Sequence, residues 1–156
     1  MGDLDRVMSK IASLDAAIED ALRNEGAEAV KEAIVAAGQM YVYDTYQPQF
    51  LHRRGRGNSG GILDKNSIKC EVHGTELTAR DEAEWQQLYG GTRPSESLVE
   101  AIATGNPRFH MNRAGPRPFH EHAKRAVIAS GILEHALRQG LARQGYDTTE
   151  TTFKFV

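Results

Sequence analysis

At 156 residues and 40% apolar content the chain can fill one hydrophobic core but not two independent ones, so a single domain, residues 1–156, is the expectation. Its net charge of −2 excludes a bulk cationic nucleic-acid binder but hides an asymmetry: residues 1–51 hold nine acidic and four basic side chains, residues 52–125 nine and twelve. The single cysteine, Cys70, excludes an internal disulfide, and an acidic start without a long apolar run is unlike a signal peptide or membrane anchor, so a cytoplasmically made, soluble protein is expected.

Leu4, Val7, Ile11, Leu14, Ile18 and Leu22 recur at steps of three and four, with Asp5, Lys10, Asp15, Glu19 and Asp20 between them, which predicts a helix with one narrow apolar seam. Such a seam packs on its own domain or pairs with a neighbour. Gly26 interrupts the pattern, and Val30, Ile34, Ala37 and Tyr41 resume it, so a helix or kinked pair of helices is expected to run to about Tyr46, where Gln47-Pro48 ends it. Residues 53–61 contain four glycines, three arginines and no apolar side chain, the composition of a mobile basic loop.

Ile68, Cys70 and Val72 alternate with Lys69, Glu71 and His73 ahead of Gly74-Thr75, which predicts a half-buried strand, a turn and a short return strand near Leu77. Asp81 with Glu84 resembles a capping box before Trp85, Leu88 and Tyr89, and Gly90-Gly91 would end that turn. Trp85 and Tyr89 read as core fillers. Ser97 with Glu100 repeats the device ahead of Leu98 and Ile102, with Gly105 as terminator. An irregular connection carrying Pro107, Pro116 and Pro118 then leads to one last long helix, whose stripe of Phe119, Ala123, Val127, Leu133, Leu137 and Leu141 runs to roughly Gln144, with Gly145 as its cap. Gly131 and Gly140 inside it each cost about 1 kcal/mol against alanine, which marks them as points of close packing on another backbone. Tyr146, Phe153, Phe155 and Val156 give the tail, residues 146–156, the composition of a final strand or tail.

The expected fold class is therefore α+β, with a long N-terminal and a long C-terminal helix packed on a small antiparallel sheet and joined by long flexible loops. Residues 1–26 form the amphipathic helix, which can stand as an extension of a core spanning 27–145.

Little in the chain has the spacing of catalytic chemistry. On a helix His120 and His122 point apart, and on a strand Cys70 and His73 face opposite sides, so neither pair chelates as residues four apart on a helix would. Cys70 shares the inner strand face with Ile68 and Val72 and reads as a small buried apolar residue, not a nucleophile. The Gly55–Gly61 loop lacks the Gly-Lys-Ser/Thr ending of a phosphate loop. No catalytic, cofactor or metal residue is expected. The functional claim falls on arginines: Arg53, Arg54 and Arg56 in the basic loop, where solubility is the plainer reading, and Arg113 and Arg117 beside the prolines, which lower the cost of ordering against a partner or DNA. Pro116 stiffens that approach, Pro118 suits the first helical turn, and Phe119 opens the stripe, so these three are expected to form a structural hinge that presents Arg113 and Arg117.

The order of these parts resembles the tailed-phage tail-component family represented by gene product ten of phage HK-97, described as tail-completion or head-tail joining proteins. The matching segments are the alanine-rich helix ending in Tyr46-x-Pro48, the Arg-rich Gly loop, Asn66-Ser67-Ile68, Trp85 to Gly91, Ser97-Leu98 to Ile102-x-x-Gly105, and Arg117-Pro118-Phe119, over roughly residues 27–145. Tyr89-Gly90-Gly91-Thr92 only partly echoes that family's aromatic-acidic-Gly-Thr sequence. The resemblance implies a structural virion protein with no catalytic centre or cofactor, a ring, expected to be hexameric, between capsid connector and tail tube. Its partners would be copies of itself, neighbouring connector, tail-terminator or tail-tube proteins, and DNA passing through the channel. Two other readings stand beside it: a nucleic-acid-binding module using the arginine-rich loops, and a small metal-dependent hydrolase.

Overall fold

The computed structural model describes residues 2–45, 60–84, 97–105 and 115–155. The fold is α+β: helix α1 (Asp3–Ala21), a π-turn (Leu22–Gly26), helix α2 (Ala27–Gly38), a second π-turn (Gln39–Tyr43), strands β1 (Ile68–His73) and β2 (Glu76–Asp81), and helices α3 (Leu98–Thr104), α4 (Phe119–Ser130) and α5 (Ile132–Arg143). The Gly26 interruption is thus a π-bulge, which inserts one residue into the helical ladder without breaking the rod. β1 and β2 form a two-stranded sheet joined through Gly74-Thr75, and Gly74 takes the positive φ of 60° that a tight hairpin requires. Along β1, Ile68 and Val72 are buried, Cys70 is half-buried and Lys69, Glu71 and His73 are exposed, the alternation expected of a strand with one covered face.

The last helix differs from expectation. It is two helices, α4 and α5, divided at Gly131, whose φ of 69° is left-handed and cannot continue a right-handed helix. The tail after Tyr146 forms no strand among its described residues. It packs instead: Tyr146, Phe153 and Phe155 lie against the core, and Arg138 holds the segment by donating to the carbonyls of Thr148 and, at 2.6 Å, Thr151, with its guanidinium 5.4 Å from the Phe153 ring centre.

The described residues fall into two compact units. The first draws on Met1–Val30, Cys70–Ala79 and Val127–Val156, the second on Lys31–Lys69 and Arg80–Ala126. In the first unit Ala17, Ala21 and Leu22 pack with Val72, Leu137 and Leu141, and Ile18, Leu77 and Leu133 close the cluster. Gly140 lets α5 approach α1: a β-carbon there would stand 2.5 Å from that of Ala21 and 2.9 Å from its Cα. Around this crossing Gln144 Nε2 donates to the Ala17 carbonyl at 2.9 Å, and Arg143 reaches Asp20 at 2.6 Å and Glu25 at 2.8 Å.

In the second unit the buried apolar residues include Ile34, Val35, Val42, Ile62, Leu63, Ile68, Leu98, Ala101, Ile102 and Phe119. Asp64 organises the turn before β1. Its carboxylate accepts from the backbone NH of Gly60 at 2.8 Å and of Asn66 at 2.9 Å, and those two bonds hold its pKa below the usual carboxylate range. Ser97 caps α3, its Oγ accepting from the Glu100 NH at 3.1 Å, and Gly105 ends the helix with a φ of 66°. The Asp81–Glu84 pattern starts no helix: Asp81 closes β2 and residues 82–84 are extended or irregular. The expected turn around Trp85, Leu88, Tyr89 and Gly90-Gly91 lies outside the described residues.

Candidate interaction surfaces

The entrance to α4 is built on α3. The Arg117 NH donates to the Ile102 carbonyl at 3.1 Å, and a β-carbon on Gly105 would stand 2.6 Å from the Pro116 nitrogen and 2.7 Å from the Gly115 carbonyl carbon. Only glycine at 105 lets the joint lie this close to the end of α3. Pro118 then begins the helix by offering its carbonyl to the His122 NH at 3.3 Å, and Phe119 is fully buried behind it. Pro116 and Pro118 are exposed.

Arg117 requires a correction. The sequence places it on the partner-facing surface, but its side chain is buried, 7% exposed, because the backbone bond to Ile102 draws this residue inward. Arg53, Arg54, Arg56 and Arg113 lie outside the described residues. On α4, Lys124 and Arg125 are exposed, basic positions that sequence reading passed over because they sit within an ordinary amphipathic stripe.

Next to the joint is a pair that the sequence did not reveal. Asp81, with a side chain of 0% exposure, faces His120 across 3.6 Å, from Oδ2 to Nε2. That separation exceeds hydrogen-bond reach, and neither atom has a hydrogen-bond partner among the described residues. The other carboxylate oxygen accepts from the Ala83 NH at 3.0 Å. The His120 ring lies 4.0 Å from that of Phe119, and the His122 ring stacks on Tyr41 at 3.9 Å with 9° between planes. The two histidines thus engage different neighbours, as their spacing on a helix dictates. Chemically the pair can orient an imidazole and tie the end of β2 to the start of α4.

The β1 edge of the first unit borders an open groove lined by Arg23, Cys70, Glu71, Val72 and His73. Arg23 pairs there with Glu19 and lies 3.5 Å from the Val72 carbonyl. The Cys70 thiol is directed at the Ala27 carbonyl, 3.9 Å away, and His73 is on the exposed side of the strand. Among the described residues no group of three His, Cys, Asp or Glu side chains is arranged to hold a metal ion.

Among the described residues, exposed large apolar side chains concentrate on α1. Leu4, Val7, Met8, Ile11 and Leu14 are 74%, 52%, 59%, 49% and 40% exposed, whereas Ala17, Ala21 and Leu22 further along the same helix are 4% or less. One stripe therefore has two fates. Its last turns close the core with α5, and its first three turns are presented outward. The sequence supplied the stripe but not the division, because periodicity is the same on a covered and an uncovered face. Among the described residues no helix is long and apolar enough to cross a membrane.

Comparison with curated proteins and with solved structures found no match. A family model, that of YomN, matches residues 4–143, which takes in the whole of α1 but its first residue and every described element up to the end of α5. The motif order resembles the HK-97 gene-product-ten-like tail components, and a phage association is what the two families share. With that match covering most of its length, the chain belongs to the YomN family, a phage-related family.

Proposed function

We propose that this protein is a non-enzymatic structural component of a phage virion, acting at the neck or tail as a tail-completion or head-tail connector subunit that assembles into a ring. The observation that carries this reading is the outward apolar face of α1, five large side chains on three turns of helix. A contiguous apolar face of that kind is costly to leave in water and fits a subunit whose surface is covered after assembly. YomN membership supplies the phage association, and the Arg117-Pro118-Phe119 helix entry with the preceding motif order supplies the neck or tail assignment. The partners are copies of the same chain and the adjoining connector, tail-terminator or tail-tube proteins. Six copies follow from the tail-component resemblance alone.

Arg53, Arg54, Arg56 and Arg113 are the residues proposed to meet neighbouring subunits or DNA in the channel; buried Arg117 is reassigned to the interior. Electron microscopy of the purified protein, alone and mixed with its neighbouring gene products, tests the reading. Rings or occupied connectors are expected. A protein that stays monomeric in every mixture and never joins connector or tail would overturn it, and steep salt-dependent binding to DNA by that monomer would favour the nucleic-acid-binding alternative.

A further inference from the structure

We infer that the outward half of α1 is a pairing seam for the same helix of a second copy, running parallel and in register. This deepens the self-assembly part of the reading above and rests on it only for the partner being another copy of the chain.

The geometry of the seam selects the partner. Leu4, Ile11 and Ile18 occupy one core position of a seven-residue repeat and Val7, Leu14 and Ala21 the other, the alternation of three and four that drives two helices into a left-handed supercoil. Of these layers the four from Leu4 to Leu14 are exposed, and the seam stops where Ala17 and Ala21 turn under α5 of their own chain. Lys10 immediately precedes the core position of Ile11, and Asp15 immediately follows that of Leu14. These are the two flanking positions that face each other across a parallel pair, Lys10 of one helix against Asp15 of the other, and the contact occurs twice. Both side chains are exposed, and neither enters an ion pair among the described residues. An antiparallel pair centred on the same layers would instead set Lys10 towards Lys10.

Four layers make a short seam, so pairing is weak for free subunits and strong where other contacts already hold two copies together. Disulfide trapping suits such a contact. In full-length protein carrying Cys70→Ser, Leu4→Cys and Leu14→Cys are each expected to form a covalent dimer with their own kind under mild oxidation. Their rates should exceed that of Ser9→Cys, on the opposite face, by at least about tenfold. Adding Lys10→Asp should slow trapping by about tenfold, and Lys10→Asp with Asp15→Lys should restore it. Leu4, Ser9, Lys10, Leu14 and Asp15 are exposed and Cys70→Ser is a near-isosteric change shared by every variant, so circular dichroism should report the same fold across the set.

Trapping no faster than for Ser9→Cys, or preferential joining of Leu4→Cys to Leu14→Cys in a mixture of the two, would overturn the parallel seam. Failure of the charge swap to restore the rate would do the same. Micrographs separate this from the neck assignment: rings without trapping sink the seam alone, and trapping by a protein that never joins a connector or tail sinks the neck assignment alone.

Discussion

In the first unit α5 meets α1 at Gly140, where an added β-carbon would stand 2.5 Å from that of Ala21, whereas in the second unit the start of α4 is fixed by Phe119, a large side chain with no exposure. One helix is positioned by removing a side chain and the other by burying one. The two respond to mutation in opposite senses. The Phe119 site fails when atoms are taken away, because the surroundings of a filled pocket collapse only in part. The Gly140 site fails when atoms are added, because the nearest obstacle includes backbone, which has no rotamer to change.

The largest expected effect is therefore at the filled site. Phe119→Ala should lower stability by about 3–5 kcal/mol, read from the urea midpoint of the full-length protein. Loss below about 1 kcal/mol would mean that Phe119 does not anchor α4, and the comparison would break. Arg117→Ala now belongs with it. Because the guanidinium is buried, its removal should also reduce stability, by about 1–3 kcal/mol, where an exposed partner-facing arginine would have cost almost nothing. A wild-type midpoint for Arg117→Ala would return that residue to the surface.

At the crossing, Gly140→Ala sets two effects against each other. Alanine gains about 1 kcal/mol of helix propensity over glycine, but overpacking against Ala21 costs about 1–3 kcal/mol, so a net loss of about 1 kcal/mol is expected. Gly140→Val, which loses most of the propensity gain and adds bulk, should cost more. A stabilised Gly140→Ala would mean that α1 and α5 stand further apart than described. Replacing Ala21 by Gly in the same protein sharpens the test, since it removes the opposing β-carbon and should recover part of the Gly140→Ala loss.

These sites also show why some of the fold was legible in the sequence and some was not. The hairpin at Gly74-Thr75, the Ser97 cap and the Gly105 terminator were readable because each is fixed by chemistry within a few residues. Phe119 was readable because it opens a stripe of helical period. Gly140 announced itself as an anomaly, a poor helix former where the pattern continued. Gly131 looked the same, yet it breaks the helix; glycine serves both purposes, and only the tertiary path of α5 decides between them. Asp81 misled because Asp-x-x-Glu is a short pattern, and the residue it faces in the fold, His120, comes from a distant part of the chain. Arg117 misled through the general preference of arginine for water, which a backbone bond to Ile102 overrides. The outward half of α1 had no local signal separating it from the inward half.

The smallest expected effect concerns the polar rim of the Gly140 crossing. The Arg143 guanidinium donates to Glu25 and Asp20, and that hydrogen bond is the main cause holding the Glu25 pKa below the usual carboxylate value and the Arg143 pKa above its own. For a carboxylate lowered on folding, the stabilisation is complete above its unfolded pKa of about 4.3 and is lost as pH falls through the folded value. Arg143→Leu should therefore weaken the protein slightly at neutral pH, and its urea midpoint should converge on that of the parent as pH drops below about 4. Asp64 and Asp147 are also held low, by backbone bonds in the first case and chiefly by the Thr149 hydroxyl in the second, so part of the acid loss should persist in the variant. A difference between variant and parent that stays constant from neutral pH into acid would assign the role of Arg143 to the packing of its stem across α1, because a contact made by methylenes does not titrate.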